Sequence, residues 1–435
     1  MSWLRRGFSL FRQACRQVRT RGRVVKAVSA LASANLVVML LSVAGAIIQA
    51  RFVGPEDMGV FRTFGIVLQY MVVLHLGTFD GLQRDIPRLI GAGRRDRAEQ
   101  LAAACLAWIL LVCVVGGAGF AIAGIAAFWQ GDAMVGCGWL ASIFMLWAGF
   151  YGGYLATTYR TGHEFVRLSS STLLGSAVST ALLPLVPFLQ YYGVCLRNAA
   201  GSAASTWRLH KYRPLPVRPR LSARDLLAVL RFGAPLFLLG YIGSALWEAL
   251  EGTIIRDALG VTALGLFSVV TFGRGAAWNL LMSVHQVVMP RVAEEYGRSG
   301  RISACVRVCA LPTALTTLGV IPLAAAGWFL SRPLVEVLLP KYVDCIPALQ
   351  WMWLGMIPMA LRTPLTVLSA AAHVRGLAVS TAAGFGAFCA LAWFSIRCGW
   401  GLPGIVNATT IGWLLYDLVG MAFIGLAVRR ERMNA

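Results

Sequence analysis

Long apolar runs, each closed by a short polar or basic segment, recur along the chain from residue 28 to residue 427. A helix of about 20 apolar residues crosses the hydrocarbon core of a bilayer. The pattern therefore predicts an all-α polytopic membrane protein with about twelve spans, at 28–50, 59–82, 98–128, 132–158, 167–189, 191–206, 232–255, 260–288, 304–329, 346–371, 376–396 and 401–427. The sixth is barely apolar, because Arg197, Asn198 and the Gly/Ser/Ala-rich stretch from Ala199 to Thr206 dilute it. Parity of the charged loops nevertheless requires a crossing there.

Composition agrees with that pattern. The 435 residues are 58% hydrophobic and 13% charged, and the mean hydropathy is +0.70, whereas a soluble globular chain carries about 25% charged residues. An ordinary soluble enzyme is excluded. Thirty-nine Lys+Arg against 18 Asp+Glu give a net charge of +21, which in a soluble protein would suggest a nucleic-acid partner. Position gives this charge another meaning: 29 basic residues fall in the termini and even-numbered loops, 5 in the odd-numbered loops and 5 inside spans. Retained loops are enriched in Lys and Arg on the cytoplasmic side, so both termini are expected to be cytoplasmic, and no nucleic acid is needed.

Residues 1–27 form a basic N-terminal segment. Arg5-Arg6-Gly7-Phe8 has a superficial likeness to a twin-arginine export signal, but the next apolar run begins some twenty residues later, is long enough to span and lacks a small-residue cleavage site. Leu4, Phe8, Phe11, Cys15 and Val18 recur at helical spacing between arginines, as in an interfacial amphipathic helix on anionic lipid. A disordered basic tail is the alternative.

The ten cysteines are scattered, with no zinc-type spacing. Cys305 and Cys309 share a helix face and read as small apolar filler. No metal site is expected. A P-loop, a G-x-S-x-G elbow and an H-E-x-x-H motif are all missing from the sequence, which argues for a transporter rather than an enzyme and against ATP-driven transport by this chain alone.

Residues 207–231 form the longest and most basic hydrophilic loop and divide the spans six and six, into an N-lobe (28–206) and a C-lobe (232–427) followed by a tail at 428–435. The proline spacing of Arg213-Pro214-Leu215-Pro216-Val217-Arg218-Pro219-Arg220 favours an extended connector. The halves also echo each other. Gly54, Gly59 and Phe61 map onto Gly260, Gly265 and Phe267 at an offset of 206, and Pro87-Arg88 maps onto Pro290-Arg291 at 203. Both copies begin on the outer side and end on the inner, so they are expected to be parallel repeats with a site at their interface.

Arg51-Phe52-Val53-Gly54-Pro55-Glu56-Asp57-Met58-Gly59-Val60-Phe61, followed by Arg84-Asp85-Ile86-Pro87-Arg88, resembles the second-helix signature of polysaccharide exporters and O-antigen flippases in the multidrug/oligosaccharidyl-lipid/polysaccharide (MOP) exporter superfamily. Leu338-Leu339-Pro340-Lys341-Tyr342, then Ala348, resembles the external turn that precedes the tenth helix there. The resemblance implies a MATE/flippase-like fold with two lobes around a central cavity, alternating access, and residence in a bacterial inner membrane. It also implies a cargo: an undecaprenyl-pyrophosphate-linked oligosaccharide, the repeat unit of an O-antigen of lipopolysaccharide, a capsule or an exopolysaccharide. Glycosyltransferases and a glycan polymerase would then be partners, alongside membrane lipids.

Charge inside a membrane is costly, so each instance is a functional hypothesis. Arg62, Arg197, Arg274, Arg307 and Arg362 fall within spans. A guanidinium presents a planar fork of donors that matches phosphate oxygens, and Arg62, Arg197, Arg274 and Arg362 are the candidate ligands for a pyrophosphate; Arg307, near a helix end, can snorkel. Gln49, Gln69, Tyr70, His75, Tyr241, Trp278, Asn279, His285, Asn407 and Trp413 offer amides and aromatic faces to sugars, or serve as glue between helices. Glu248, Glu251 and Asp417 are the candidates for coupling to a proton or sodium gradient, and no cofactor is expected; pairing of either glutamate with Arg274 is the structural alternative. Two other functions fit less well: a cation-coupled multidrug exporter, which favours an acid-lined cavity, and a membrane glycan polymerase or acyltransferase, which generally carries larger external loops.

Overall fold

The computed structural model describes residues 37–38, 41–162, 164–371 and 373–433. The basic segment 1–27, with its expected amphipathic helix, lies outside them. The described residues are helical and contain no strand. In chain order the helices are α1 (Leu41–Phe52), α2 (Pro55–Met71), α3 (Thr78–Gly91), α4 (Arg95–Trp129), α5 (Ala133–Trp147), α6 (Gly153–Thr161), α7 (Phe165–Ala181), α8 (Val186–Lys211), α9 (Ala223–Tyr241), α10 (Trp247–Leu259), α11 (Val261–Ser299), α12 (Ile302–Leu338), α13 (Ile346–Ala360), α14 (Thr366–Ala370), α15 (Val374–Arg397) and α16 (Gly401–Met433). They follow the order of the twelve expected spans. Several spans are broken helices.

The second span is the clearest break. Between α2 and α3 stand a 3-10 turn, Val72–His75, and two residues with positive φ, Leu76 (53°) and Gly77 (85°). The backbone of Gly77 lies against that of Gly233 in α9: a Cβ on Gly77 would sit 2.5 Å from the Gly233 carbonyl carbon. Glycine supplies both the left-handed conformation and the space for the crossing. The fourth and seventh spans each contain a wide π turn, Ala148–Gly152 and Ile242–Leu246; such turns re-aim the helix face that follows.

Helices also outrun their apolar limits. The eighth span, expected at 260–288, belongs to a helix that reaches Ser299, and α12 runs from Ile302 to Leu338 around an expected 304–329. Hydropathy marks the stretch that lies in lipid, whereas backbone hydrogen bonding continues into water. For the same reason the non-helical part of the 207–231 connector is 212–222. Ser222 caps α9 by accepting the Asp225 N–H at 3.4 Å. The connector is held to the N-lobe: Arg220 N–H donates to the Ala103 carbonyl at 3.2 Å, Leu215 and Val217 pack on the core around α4, and Arg97 pairs with Asp225 at 2.6 Å.

At the C-terminal end, the Glu431 carboxylate accepts the Ile302 N–H and, at 3.0 Å, the Ser303 N–H. It thereby caps α12 from a distant part of the chain, supplying acceptors to donors that a helix start leaves unpaired. Glu431→Ala is expected to cost about 1 kcal/mol, the usual worth of an N-cap, read as a lowered unfolding midpoint of the detergent-solubilised protein.

Two large packed cores run through the helices. Leu82, Ile86, Cys105, Ile109, Leu146, Tyr154 and Tyr159 centre one in the N-lobe, and Trp247, Ile255, Met352, Phe388 and Ile405 centre the other, which continues across the lobe boundary to Ala50, Val53, Met58 and Ile66. Cys305 and Cys309 are fully buried and pack against α11 and α14.

Where the lobes meet, the duplicated segments face each other. A Cβ on Gly59 would overlap the Val261 carbonyl, and a Cβ on Gly265 would overlap the Pro55 carbonyl. Because 55 and 59 correspond to 261 and 265 at the same offset of 206, the two contacts are one contact seen twice. Beside them, Tyr342 Oη donates to the Val53 carbonyl and Lys341 Nζ to the Phe52 carbonyl, both at 3.0 Å. All of this lies at the arginine-poor end of the bundle.

Candidate functional site

The charges of the apolar helices gather on the face of the C-lobe that packs against α2 of the N-lobe. Glu248 and Glu251 project from α10 just after its π turn, three residues apart and therefore on one helix face. Glu251 has no exposed surface. One of its oxygens accepts from Arg274 of α11 at 2.7 Å, and the other accepts from Thr409 of α16 at 2.7 Å. Arg274 also reaches Glu248 at 3.7 Å. Arg62 lies half-buried within electrostatic reach of Glu248 and Arg274, with its guanidinium 5.3 Å from the Phe272 ring centre.

A second pair completes the group. Arg362, at the break between α13 and α14, donates from Nε to Asp417 Oδ1 of α16 at 3.2 Å. Asp417 Oδ2 is buried without a partner. Aromatic rings join the two pairs: Trp413 lies 5.5 Å from the Arg274 guanidinium and 5.9 Å from that of Arg362, and Tyr416 and Trp278 lie 4.7 and 5.8 Å from Arg362. Three arginines and three carboxylates thus share a site walled by aromatic faces, which stack favourably on cations and on sugar rings.

Of the four arginines expected to act together, the structure brings together Arg62, Arg274 and Arg362. Arg197 stands apart in the N-lobe, donating to Gln49 Oε1 of α1 and, at 3.2 Å, to Ser179 Oγ of α7. It lines a cavity of about 280 Å³ between α1, α7 and α8. Arg307 is exposed at its helix end. Tyr70 bonds Thr253 at 2.9 Å, and Tyr241 Oη donates to the Tyr70 carbonyl at 3.1 Å, so both act as ties between lobes. His75 is packed between Phe79 and Phe237, with ring centres 4.4 and 4.0 Å away. Thr409 and Tyr416 are not marked by charge in the sequence; the available signal is that Thr409 stands one and two helix turns before Trp413 and Asp417, and Tyr416 about one turn after Trp413.

Among solved structures, the chain is similar to an inward-facing multidrug resistance MATE transporter of the MOP superfamily, with TM-score 0.73 and 15% identity over 91% of this chain and 96% of that one. The outward-facing structure of such a transporter gives TM-score 0.66 and 16% identity over 94% and 97%. A MOP superfamily transporter from Pyrococcus furiosus, described as having a binding pocket of reversed polarity, gives 0.65 and 15% over 93% and 96%. No curated protein sequence matches significantly. The fold therefore defines a polytopic membrane protein of the MATE type. Residues 48–347 match the model of a family described as polysaccharide biosynthesis protein. The chain belongs to that family.

Proposed function

We propose that the protein is a flippase that moves a polyprenyl-pyrophosphate-linked oligosaccharide across a bacterial inner membrane by alternating access. The observation that carries this reading is the convergence of Arg62, Arg274 and Arg362 on aromatic faces between the lobes. A guanidinium can exchange an internal carboxylate for a phosphate oxygen without loss of charge-assisted hydrogen bonding. Aromatic walls accept sugar faces, and the polyprenyl tail can stay in lipid. Membership of a polysaccharide biosynthesis family supports a glycan cargo. Glycosyltransferases would supply that cargo on the arginine-rich, cytoplasmic side, and a glycan polymerase would take it on the other.

The contacts of Gly59, Gly265 and Tyr342 close the arginine-poor end, and the higher TM-score with the inward-facing MATE structure supports the same state. Coupling would fall to Glu248, Glu251 or Asp417. Asp417 is favoured by its unpartnered buried oxygen, and it would take up a proton or sodium ion when Arg362 turns to the cargo.

Proteoliposomes carrying a fluorescent lipid-pyrophosphate sugar test the reading, since the label should reach the opposite leaflet when protein is present. Arg62→Gln should slow that transfer about tenfold or more, the usual worth of a hydrogen bond to a charged group. Label that stays on its original side with wild-type protein ends the proposal. The equal number of carboxylates and arginines in the site favours a second reading, a cation-coupled multidrug exporter. Drug resistance conferred on expressing cells, without lipid-sugar transfer, would select it.

A further inference from the structure

The four arginines differ in their charge balance. Arg274 and Arg362 each touch a carboxylate, and Arg62 lies in reach of Glu248. Arg197 is 8% exposed, and its hydrogen-bond partners, Gln49 and Ser179, are neutral. No salt bridge joins it to an acid among the described residues, and the remaining residues contain no Asp or Glu. A lone charge inside a membrane protein is expensive to keep unless something occupies its field.

The surroundings show what kind of occupant fits. α7 and α8 form a tight antiparallel hairpin that reverses at Gln190, where φ is 47°. They cross backbone to backbone at Gly175 and Gly201: a Cβ on either would stand 2.8 or 2.9 Å from the other's carbonyl oxygen. That crossing turns the hydroxyl faces of both helices toward the cavity, so that Thr172, Ser176, Ser179, Ser202 and Ser205 line it together with Asn198 and Arg197. The polarity that makes the sixth span barely apolar is therefore concentrated on one wall. At about 280 Å³ the cavity lies just below the range of small-molecule sites, roughly 300–1,000 Å³. Short hydroxyls arrayed around one uncompensated guanidinium complement a ligand that is itself rich in hydroxyls and carries one negative charge.

We infer that the N-lobe cavity around Arg197 is a subsite for an acidic sugar, a carboxylate-bearing hexose in the glycan head. This rests on the flippase reading and deepens it: the pyrophosphate would go to the C-lobe arginines and the sugar carboxylate to Arg197. The protein would then select an acidic glycan over a neutral one.

Two arms test this. In the first, wild-type protein in nanodiscs is titrated with glucuronate, glucose and inorganic phosphate, followed by ligand-observed NMR. Binding of glucuronate in preference to the other two, lost in Arg197→Gln and weakened in Ser176→Ala, is the expected result; the unfolding midpoint of each variant shows whether it is folded, and the milder serine variant serves if Arg197→Gln is not. Wild-type protein that ignores glucuronate, or binds phosphate as well as it binds glucuronate, overturns the assignment. In the second, lipid-pyrophosphate disaccharides with and without a uronic acid are compared in the leaflet assay. Wild type should favour the acidic cargo about tenfold or more, with that ratio falling to about one in Arg197→Gln. Equal transfer of both cargoes by wild type refutes the subsite and leaves the flippase standing. Transfer of neither refutes the flippase, and the titration then still decides whether the cavity takes an acidic sugar.

Discussion

Arg274→Ala should destabilise the C-lobe by about 3–5 kcal/mol, the cost of stripping one partner from a buried ion pair. Glu251 has no exposed surface, and its two oxygens are satisfied by Arg274 and Thr409 at 2.7 Å each. Removing the guanidinium leaves a carboxylate with one neutral hydrogen bond, no exposed surface and a second carboxylate, Glu248, on the same face. The double variant Arg274→Met/Glu251→Leu removes both charges and should recover most of that loss, because replacing a buried pair with apolar groups is often neutral. The cycle is read from unfolding midpoints at a fixed scan rate, and the coupling between the two sites should be positive and large. If Arg274→Ala melts within about 1 kcal/mol of wild type, the pair is not closed in solution. Transfer of lipid-linked cargo should stay low in the double variant even as stability returns, which separates the structural part of Arg274 from its part in binding.

The outcome of that cycle bears on what a membrane sequence makes legible. The bilayer excludes charge and demands apolar helices of a limited length, so the apolar stretches and the arginines that interrupt them are visible in the sequence. Partners are not visible in the same way. Whether Arg62, Arg274, Arg362 and Arg197 meet depends on helix rotation and on breaks such as those at Leu76–Gly77 and Ile242–Leu246, which hydropathy does not encode. Pairing of Glu251 with Arg274 could be entertained from the sequence as one option among others; Thr409, 158 residues from Glu251, could not. The sixth span shows the opposite case. Its hydroxyls and Arg197 read as weakness in an apolar pattern, yet they are concentrated on the wall of a cavity, where Arg197 bonds Gln49 and Ser179.

The duplicated Gly-x4-Gly-x-Phe segment carries the second large expectation. Gly265→Val should shift the lobes away from contact at the arginine-poor end. A side chain at 265 would overlap the Pro55 carbonyl oxygen, and the Gly59 N lies 3.0 Å from the same Cβ position. Both obstacles are backbone, so no rotamer change relieves them, and overpacking of this kind costs about 1–3 kcal/mol. That cost is felt when the end is closed and vanishes when it opens, so it biases the equilibrium between the two arrangements about 5- to 150-fold. Gly59→Val should act in the same direction through the Val261 carbonyl, as expected of two halves of one repeated contact. Tyr342→Phe removes the hydroxyl that donates to Val53 and should give a smaller shift of the same sign. Spin labels at the exposed positions Phe52 and Asp344 report the separation directly: the long-distance population should grow in the order wild type, Tyr342→Phe, Gly265→Val. An unchanged distance distribution in Gly265→Val, with protein still folded, would mean that the paired glycines are a static packing feature. A shift accompanied by lost cargo transfer would identify the repeat as the outer gate and explain why both lobes carry the same short segment at the same depth.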